Sequence, residues 1–448
     1  MYYNILSFGA SPDSENCTAQ IQKAIDTAYL AGGGAVEIPA GTFRACGLRL
    51  RSHVTLLLRA GAVLLASRNP ADYDAWLSDE LEPVAESDKL VRAWKRGDHE
   101  IHQTVGSRWN NGIIRALDAT DVAIIGEAGS VIDGNDCFDA DGEEYYRGPH
   151  GIAMHRCRNI RLSGCEIRNT GNWAASVYDS ENITLEKLLV LRGHDGCHFT
   201  GCDNITVRNC RFFTGDDCIA GIDLCNVTVT DCELNTACSG FRMGGTNIHI
   251  SKCYFHGPGK YLFRGSLSPE EKANNAPSLE NPQGLERDDK GHRFNMLSCF
   301  TYYADFSHVI RHTPENIVIS DCRIENCHRL LHYNFSGNET WQKAVPMRSF
   351  TMENCTATGI VLPLNAYGDE KIPLLLTIRD CELSFREETP FMHLCNYERV
   401  LLENLKIHQV GKQPLIKKWS EGEIVLRGVT SDNKEIVKAE EAFFARPI

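Results

Sequence analysis

The sequence predicts an all-β fold, a single-stranded right-handed parallel β-helix with a capping helix at its N-terminus. The first observation is a repeat, because dipeptides that open short alternating strands recur at gaps of 23, 22, 22 and 21 residues: Asn159-Ile160, Asn182-Ile183, Asn204-Ile205, Asn226-Val227 and Asn247-Ile248. The second is composition, since β-branched residues fill the strands and Asn, Gly and Asp fill the turns. No helical pattern lies between them. A fixed period of this kind is typical of a solenoid.

Cysteines provide the third observation, because they close the repeated phrase at matching points: Cys165, Cys210, Cys232, Cys253, Cys322, Cys355 and Cys381. The chain has nineteen cysteines, an odd number. Such positions predict an inward ladder of buried thiols rather than a disulfide framework. Free thiols favour a reducing compartment, so we expect a cytoplasmic location.

Residues 17–31 carry apolar side chains at helical spacing and run into Gly32-Gly33-Gly34, a helix stop. A helix there would cover the open end of the first coil, and residues 1–45 are interpreted as the N-terminal cap region. The spaced leucines of a leucine-rich repeat are missing from the chain. Residues 1–448 are predicted to form one domain, with loop excursions at 68–112 and 265–295.

Composition and motif spacing limit the partners. The net charge of −13 argues against nucleic acid, and no stretch reaches the ~18 apolar residues of a membrane span. No basic segment followed by an apolar core, as in a secretory signal, opens the sequence. Because no paired Cys-x-x-Cys spacing occurs, no metal and no other cofactor is predicted. The oligomeric state is unknown from sequence.

Stacking at a constant period predicts which side chains meet. Steps of 22 residues give a column: Trp173, Asp195, Asp217, Ser239 and Tyr261. Paired strands lie about 4.8 Å apart, so this column is interpreted as one wall of a groove with Asp216 beside it. The same step connects Arg242 to Arg264. Two arginines on adjacent coils would repel, which predicts an anion between them and a substrate that carries a carboxylate.

Several motifs then resemble, in order and spacing, the catalytic stretch of the polygalacturonase family, glycoside hydrolase family 28. They are Asn169-Thr-Gly-Asn-Trp173, His194-Asp195-Gly196, Thr214-Gly-Asp-Asp-Cys-Ile-Ala220 and Ser239-Gly-Phe-Arg-Met-Gly-Gly245. The N-terminal Phe8-Gly-Ala and Ile38-Pro-Ala-Gly-Thr-Phe43 resemble the opening of that β-helix superfamily. The resemblance covers residues 4–265, and the remainder reads as generic coils.

The resemblance implies inverting hydrolysis of a bond to galacturonic acid or a relative. This chemistry needs one carboxylic acid to protonate the leaving oxygen and a carboxylate base for water. Carried over by motif, Asp216 resembles the general acid, while Asp195 and Asp217 resemble the pair that holds and deprotonates the water. Asp216 and Asp217 can face one groove only if the strand ends or bends there.

Two departures from the family bear on the substrate. The family's His-Gly is Ser239-Gly240 here, and its Arg-Ile-Lys triplet appears as Leu262-Phe263-Arg264. Arg242 and Arg264 are the predicted replacements for the lost cationic contacts. The full set of predicted substrate-binding residues is Arg242, Arg264, Ser239, Trp173, Tyr261 and His194. The histidines beside Asp195, His194 and His198, are assigned to the core or the groove rim in preference to catalysis.

The predicted function is a glycoside hydrolase that acts from the chain end of pectic, galacturonate-containing oligosaccharides, because a cytoplasmic enzyme would meet imported oligosaccharides rather than polymer. Three alternatives remain open from the residues. One is a β-elimination lyase with an arginine base and calcium, for which Arg242 or Arg264 would serve. The others are a hydrolase of a neutral glycoside and a carbohydrate-binding β-helix without catalysis.

Overall fold

The computed structural model describes residues 1–73, 111–274, 279–304, 310–335, 345–432 and 436–439. The expected excursion at 68–112 therefore lies mostly outside the described residues. The chain forms two compact units, described separately below. The first unit comprises Met1–Asp216 and Tyr261–Glu280, and the second comprises Asp217–Lys260 and Asn281–Ile448.

The strands of the first unit form three parallel ladders. One ladder is Tyr2–Asn4, Gly34–Ile38, Val54–Leu58, Thr120–Gly126, Arg158–Ser163, Glu181–Glu186 and Asp203–Arg208. A second is Leu48–Leu50, Gly112–Leu117, His150–His155, Ala175–Tyr178 and Cys197–Thr200. The third is Gly41–Arg44, Ala62–Leu65, Val131–Asp133, Glu166–Arg168, Leu189–Leu191 and Arg211–Thr214.

Register within these ladders explains the hydrophobic pattern. Ile160 pairs with Ile183, and Ile183 pairs with Ile205, one coil after another. All three side chains are buried, whereas the residues between the buried ones point outward. Because neighbouring strands are parallel and in register, equivalent apolar residues stack into one continuous core.

The repeated asparagine has its own physical reason. Asn159, Asn182 and Asn204 adopt the left-handed backbone region, with φ of 55°, 58° and 56°. Asparagine tolerates that region better than other residues with a side chain. The amide nitrogens of Asn182 and Asn204 each donate to the side-chain oxygen one coil earlier, at 3.1 Å in both cases. The repeat signature is therefore both a turn requirement and a hydrogen-bonded ladder.

The predicted N-terminal helix is confirmed as Thr18–Leu30. Its buried residues follow helical spacing and pack as one face: Ile21, Ala24, Ile25 and Ala28. Gly32 ends the helix with φ of 88°, in the region that favours glycine, and its backbone nitrogen donates to the carbonyl of Tyr29. The other helices that the structure describes in this unit are short: Ile5–Phe8, Pro70–Asp72, Glu143–Tyr145, Arg264–Ser266 and Pro269–Ala273.

The second unit repeats the three-ladder arrangement, with two long strands, Ile219–Thr230 and Ser239–Ser251, at its start. From these, one ladder continues through Ser298–Tyr302, Leu331–Asn334, Leu364–Tyr367, Met392–Cys395, Ile416–Lys418 and Val437–Ala439. Another continues through Ile317–Ser320, Ser349–Glu353, Leu374–Arg379, Tyr397–Glu403 and Glu423–Arg427. The third is Glu233–Thr236, Tyr254–His256, Arg323–Glu325, Thr356–Ile360, Glu382–Phe385, Lys406–His408 and Thr430–Ser431.

The constant 22-residue step fails after Ser239, which corrects two predictions. Ser239 pairs with Ser298, and Arg242 pairs with Thr301, because residues 257–297 leave the ladder before the next strand begins. Tyr261 therefore does not continue the predicted column. Arg264 begins a short 3-10 helix and has no place in that ladder. The prediction that Arg242 and Arg264 lie on adjacent coils was wrong, since the chain makes a long detour where a regular coil was assumed.

Within the described residues, no helix is long and apolar enough to cross a membrane. The predicted one-domain organisation stays a prediction. The parallel, in-register coils are those of the predicted β-helix, and all nineteen cysteines lie among the described residues as free thiols. Seventeen of them are buried, whereas Cys225 and Cys238 are partly exposed.

We expect a thiol titration of the denatured protein to find all nineteen cysteines free. The reason is that the thiols fill the interior of the coils as small apolar groups and do not cross-link the chain. We also expect added reductant to leave the melting temperature unchanged. Several intact disulfides in freshly purified protein would contradict this packing.

Candidate active site

Asp195 lies in the turn between the strands Leu189–Leu191 and Cys197–Thr200 of the first unit. Its side chain is buried, with 4% exposed, and Oδ2 lies 3.2 Å from Nδ1 of His198. The turn depends on Gly193, which has φ of 71°. A Cβ at this position would lie 2.6 Å from Oγ1 of Thr170. The backbone therefore brings Asp195 close to the preceding coil in a way that a larger residue would prevent.

Trp173 stands one coil before Asp195, as the column predicted. The backbone nitrogen of Ala174 donates to the carbonyl of Asp195 at 3.0 Å, which fixes the alignment. The indole of Trp173 is buried and stacks on the imidazole of His198, with centroids 3.9 Å apart and planes at 15°. One face of this predicted substrate-binding residue is thus packed against a histidine.

Asp216 lies after the strand Arg211–Thr214 and outside any strand. The side chain is 7% exposed, and Oδ2 accepts a hydrogen bond from Nη2 of Arg147 at 3.4 Å. The backbone carbonyl of Asp216 accepts from the Thr214 hydroxyl at 2.7 Å, while its backbone nitrogen donates to the carbonyl of His194 at 3.3 Å. These backbone contacts position the turn, and Arg147 contacts the carboxylate.

Arg147 was not predicted as a site residue. Its Nε donates to Glu144 Oε2 at 2.8 Å, and Nη1 lies 3.4 Å from Asn172 Oδ1. Burial alone would raise the pKa of Glu144, but the charge and hydrogen bond of Arg147 bring it below its usual range. Glu144 and Tyr145 both have positive φ, 51° and 63°. Strained backbone of this kind is often found at functional sites, but no motif in the sequence marks these residues.

Arg264 is buried in the first unit, as befits a predicted site residue. Its Nη1 donates to the carbonyl of Thr170 at 3.1 Å, and Nη2 lies 3.7 Å from Asp136 Oδ1. Burial raises the pKa of Asp136, although the charges of Arg264 and Arg192 oppose the shift. Asp136 is a second residue that the sequence interpretation missed, because it falls in an acidic turn without a catalytic motif.

His194 is fully buried, with its ring centroid 5.5 Å from that of Tyr146. Among the described residues neither ring nitrogen has a hydrogen-bond partner. Burial holds the pKa of His194 well below its ordinary value, and the nearby charges of Arg147, Arg264 and Lys272 lower it further. The imidazole is therefore neutral at physiological pH.

Tyr261 and Lys272 lie on the segment that returns to the first unit. Tyr261 is buried and forms an isolated antiparallel bridge with Glu280. Arg192 lies 5.2 Å from the Tyr261 ring and forms an ion pair with Glu280 at 2.9 Å. The Lys272 ammonium lies 4.3 Å from the ring of Tyr146, and burial lowers its pKa. These contacts hold residues 261–274 against the coils that carry Asp195.

Three predicted residues belong to the second unit. Asp217 is fully buried, Oδ1 accepts from the backbone nitrogen of Ser239 at 2.9 Å, and Oδ2 lies 3.5 Å from Nη1 of Arg242. The Ser239 hydroxyl lies 3.3 Å from that of Thr301. The guanidinium of Arg242 stands 4.3 Å from the ring of Tyr303. Thr301 and Tyr303 were not predicted, because they follow the long detour in the chain.

Asp216 and Asp217 are consecutive, so a trans peptide places their Cα atoms about 3.8 Å apart. Neither lies within a strand, since one strand ends at Thr214 and the next begins at Ile219. The alternation that would send their side chains to opposite faces of a strand does not apply. Both carboxylates can face one groove only if the strand ends or bends at these two residues, and the strand is interrupted there.

Known proteins resemble this chain in sequence and fold. Residues 99–245 match the sequence model of the family described as Glycosyl hydrolases family 28. A probable polygalacturonase of Vitis vinifera is 28% identical over 48% of this chain and 43% of its own length. An exo-poly-alpha-D-galacturonosidase of Dickeya chrysanthemi is 28% identical over 48% of this chain and 41% of its own. The chain thus spans less than half the length of these curated relatives.

A solved structure agrees with the fold. The crystal structure of a hyperthermoactive exopolygalacturonase from Thermotoga maritima superposes with a TM-score of 0.65. It covers 91% of this chain and 92% of its own, at 18% identity. The predicted resemblance to family 28 and the predicted right-handed parallel β-helix are both confirmed.

We expect His194 to make stability fall as the pH drops below about 6.5, the ordinary pKa of histidine. The unfolded chain binds a proton there, while the folded chain keeps the imidazole neutral, so the free energy of unfolding decreases with decreasing pH. Urea denaturation between pH 7.5 and 5 measures the slope, which is at most about 1.4 kcal/mol per pH unit for one proton.

His194→Gln is expected to make that slope shallower. The matched control is His53→Gln, because His53 is exposed beside Asp121. Parallel stability curves for wild type and His194→Gln would contradict a neutral buried imidazole.

Proposed function

We propose that this relative of glycoside hydrolase family 28 hydrolyses pectic, galacturonate-containing oligosaccharides with inversion at the anomeric carbon, acting from a chain end. The observation that carries the proposal is the burial of three carboxylates, Asp195, Asp216 and Asp217, inside the segment that matches the family. Burying a carboxylate costs free energy unless it is paired. Each of the three accordingly has a specific donor, namely His198, Arg147 and the backbone of Ser239.

The catalytic roles follow from the family motif. Asp216 protonates the glycosidic oxygen as the leaving group departs, while Asp195 and Asp217 hold and deprotonate the water that attacks the opposite face of the sugar. The water's proton passes to a carboxylate, and the proton of Asp216 leaves with the released sugar. Water bonds to the anomeric carbon as the glycosidic bond breaks, so no covalent sugar–enzyme intermediate forms.

The substrate proposal rests on cations. Arg264 is buried with Nε lacking a hydrogen-bond partner among the described residues, which leaves a donor for an anionic ligand. Arg242 is partly exposed beside Asp217 in the second unit. A guanidinium fork matches a carboxylate, and one such contact contributes about 1.5–3 kcal/mol. The similar proteins are named a probable polygalacturonase and an exo-poly-alpha-D-galacturonosidase, and both names specify galacturonate, an anionic sugar.

We further propose a cytoplasmic location, for which nineteen free thiols are the support. Ser239, Trp173, Tyr261 and His194 are proposed to shape the substrate site. The rings of Trp173 and Tyr261 would do so by holding neighbouring side chains in place. The Trp173 ring packs against His198, and the Tyr261 ring packs against Arg192.

Asp195→Asn, Asp216→Asn and Asp217→Asn are each expected to lower kcat by at least ~10²-fold, the scale of general acid–base effects. Proton NMR of the freshly released sugar from oligogalacturonides measures turnover and stereochemistry together, and inversion appears as the β-anomer from an α-linked substrate. Near-wild-type turnover in any two variants would refute the catalytic assignment. An unsaturated product that absorbs in the ultraviolet would indicate elimination.

Arg264→Ala and Arg242→Ala are expected to lower kcat/KM for a galacturonide by ~10–100-fold and to change the value for the matching galactoside little. The matched control is Arg156→Ala, because Arg156 forms a two-point ion pair with Asp118 away from the site. Equal cleavage of galactoside and galacturonide by wild type would exclude the uronide while leaving the hydrolase intact.

A further inference from the structure

His198 contacts the carboxylate that the proposed reaction uses to activate water. The imidazole Nδ1 lies 3.2 Å from Asp195 Oδ2, and both residues are about 5% exposed or less. An ionised carboxylate only accepts hydrogen bonds, so Nδ1 carries the proton in this pair.

Ring packing restricts the imidazole. His198 lies on the strand Cys197–Thr200 and pairs in register with Ser176 of the preceding coil. The indole of Trp173 stacks on it with centroids 3.9 Å apart, and the His150 ring lies tilted at 37° to Trp173 with centroids 5.1 Å apart. Rings from three successive coils are therefore in contact, and the pair Trp173 and His198 is stacked. A stacked, buried ring has few rotamers available, so its Nδ1 keeps a fixed direction.

We propose that His198 is a positioning residue for Asp195, and that Trp173 holds His198 in the orientation this requires. The inference rests on the proposed function, in which Asp195 helps to deprotonate the attacking water. Donation from Nδ1 to Oδ2 fixes the carboxylate plane, so that the remaining lone pairs point in a constant direction toward the attacking water. A catalytic group held in this way loses little free energy to reorientation during the reaction.

Side-chain amides separate positioning from bulk packing. Asn places its amide nitrogen near the position of imidazole Nδ1, whereas Gln places it near Nε2. We expect His198→Leu and His198→Gln to lower kcat on oligogalacturonides by ~10–100-fold with little change in KM, and His198→Asn to retain at least ~5-fold more kcat than His198→Gln. Equal kcat for the two amides, or an effect confined to KM, would overturn the proposal.

Two controls guard against loss of folding. His155→Leu removes another histidine of the first unit that contacts an aspartate, Asp179 at 2.9 Å, and packs near an aromatic ring, Tyr178. We expect it to leave kcat unchanged. Trp173→Phe keeps a ring against His198 and is expected to retain more kcat than Trp173→Leu, at melting temperatures measured for each variant.

Imidazole NMR provides a readout that does not need turnover. We expect the His198 Nδ1–H signal in wild type, and a shift of that signal in Asp195→Asn. If wild type cleaves no glycoside but the signal shifts, the proposed function fails and the pairing stands. A second outcome is that wild type is active while Nδ1 carries no proton, or while the signal is unchanged in Asp195→Asn. In either case the positioning role fails and the hydrolase assignment stands.

Discussion

In-register parallel stacking of coils is the constraint on which the rest of the structure depends. Each strand hydrogen-bonds to the equivalent strand one coil away, so residues with equivalent positions meet whatever their chemistry. Apolar residues then stack into a core, as Ile160, Ile183 and Ile205 do. Asparagines stack into an amide ladder, and the Trp173 ring contacts His150 on one neighbouring coil and stacks on His198 on the other. On such a fold, side chains at equivalent positions of successive coils are the ones that can form a functional site together.

The buried carboxylates are stabilised by donors that lie next to them in the folded chain. The chain has a net charge of −13, yet the carboxylates proposed for catalysis are buried, where repulsion and desolvation act most strongly. Arg147 and His198 in the first unit, and Arg242 with the Ser239 backbone in the second, provide the donors. Of these donors, Arg147 and His198 lie outside the motifs that resemble the family, whereas Ser239 and Arg242 lie within one of them.

The two histidines that flank Asp195 show how position decides chemistry. His194 has no hydrogen-bond partner among the described residues, and burial, together with the nearby charges of Arg147 and Arg264, holds its pKa well below the ordinary value. His198 lies four residues later on a strand, contacts Asp195 and stacks on Trp173. The same side chain serves as uncharged filling in one place and as an oriented donor in the other. Their sequence neighbourhoods differ little, and the surrounding coils make the difference.

Sequence alone determined the features that repeat. The Asn-led strands, the cysteine positions and the helix Thr18–Leu30 were predictable because each obeys a local rule of period, turn chemistry or amphipathic spacing. The motif around Asp216 and Asp217 was readable for the same reason, and so was the alignment of Trp173 with Asp195. These properties need only the chain's own order.

Tertiary structure decided what lies across the detours. Residues 257–297 leave the ladder, so Ser298 and Thr301, rather than Tyr261 and Arg264, follow Ser239 and Arg242. The contact of Arg147 with Asp216 joins residues 69 positions apart. A constant period does not indicate where a loop leaves the coils or which of its side chains contact them. Those contacts depend on burial and charge in the folded protein. The sequence repeat was therefore sufficient to predict the fold class, whereas the partners of the buried carboxylates were decided by tertiary packing.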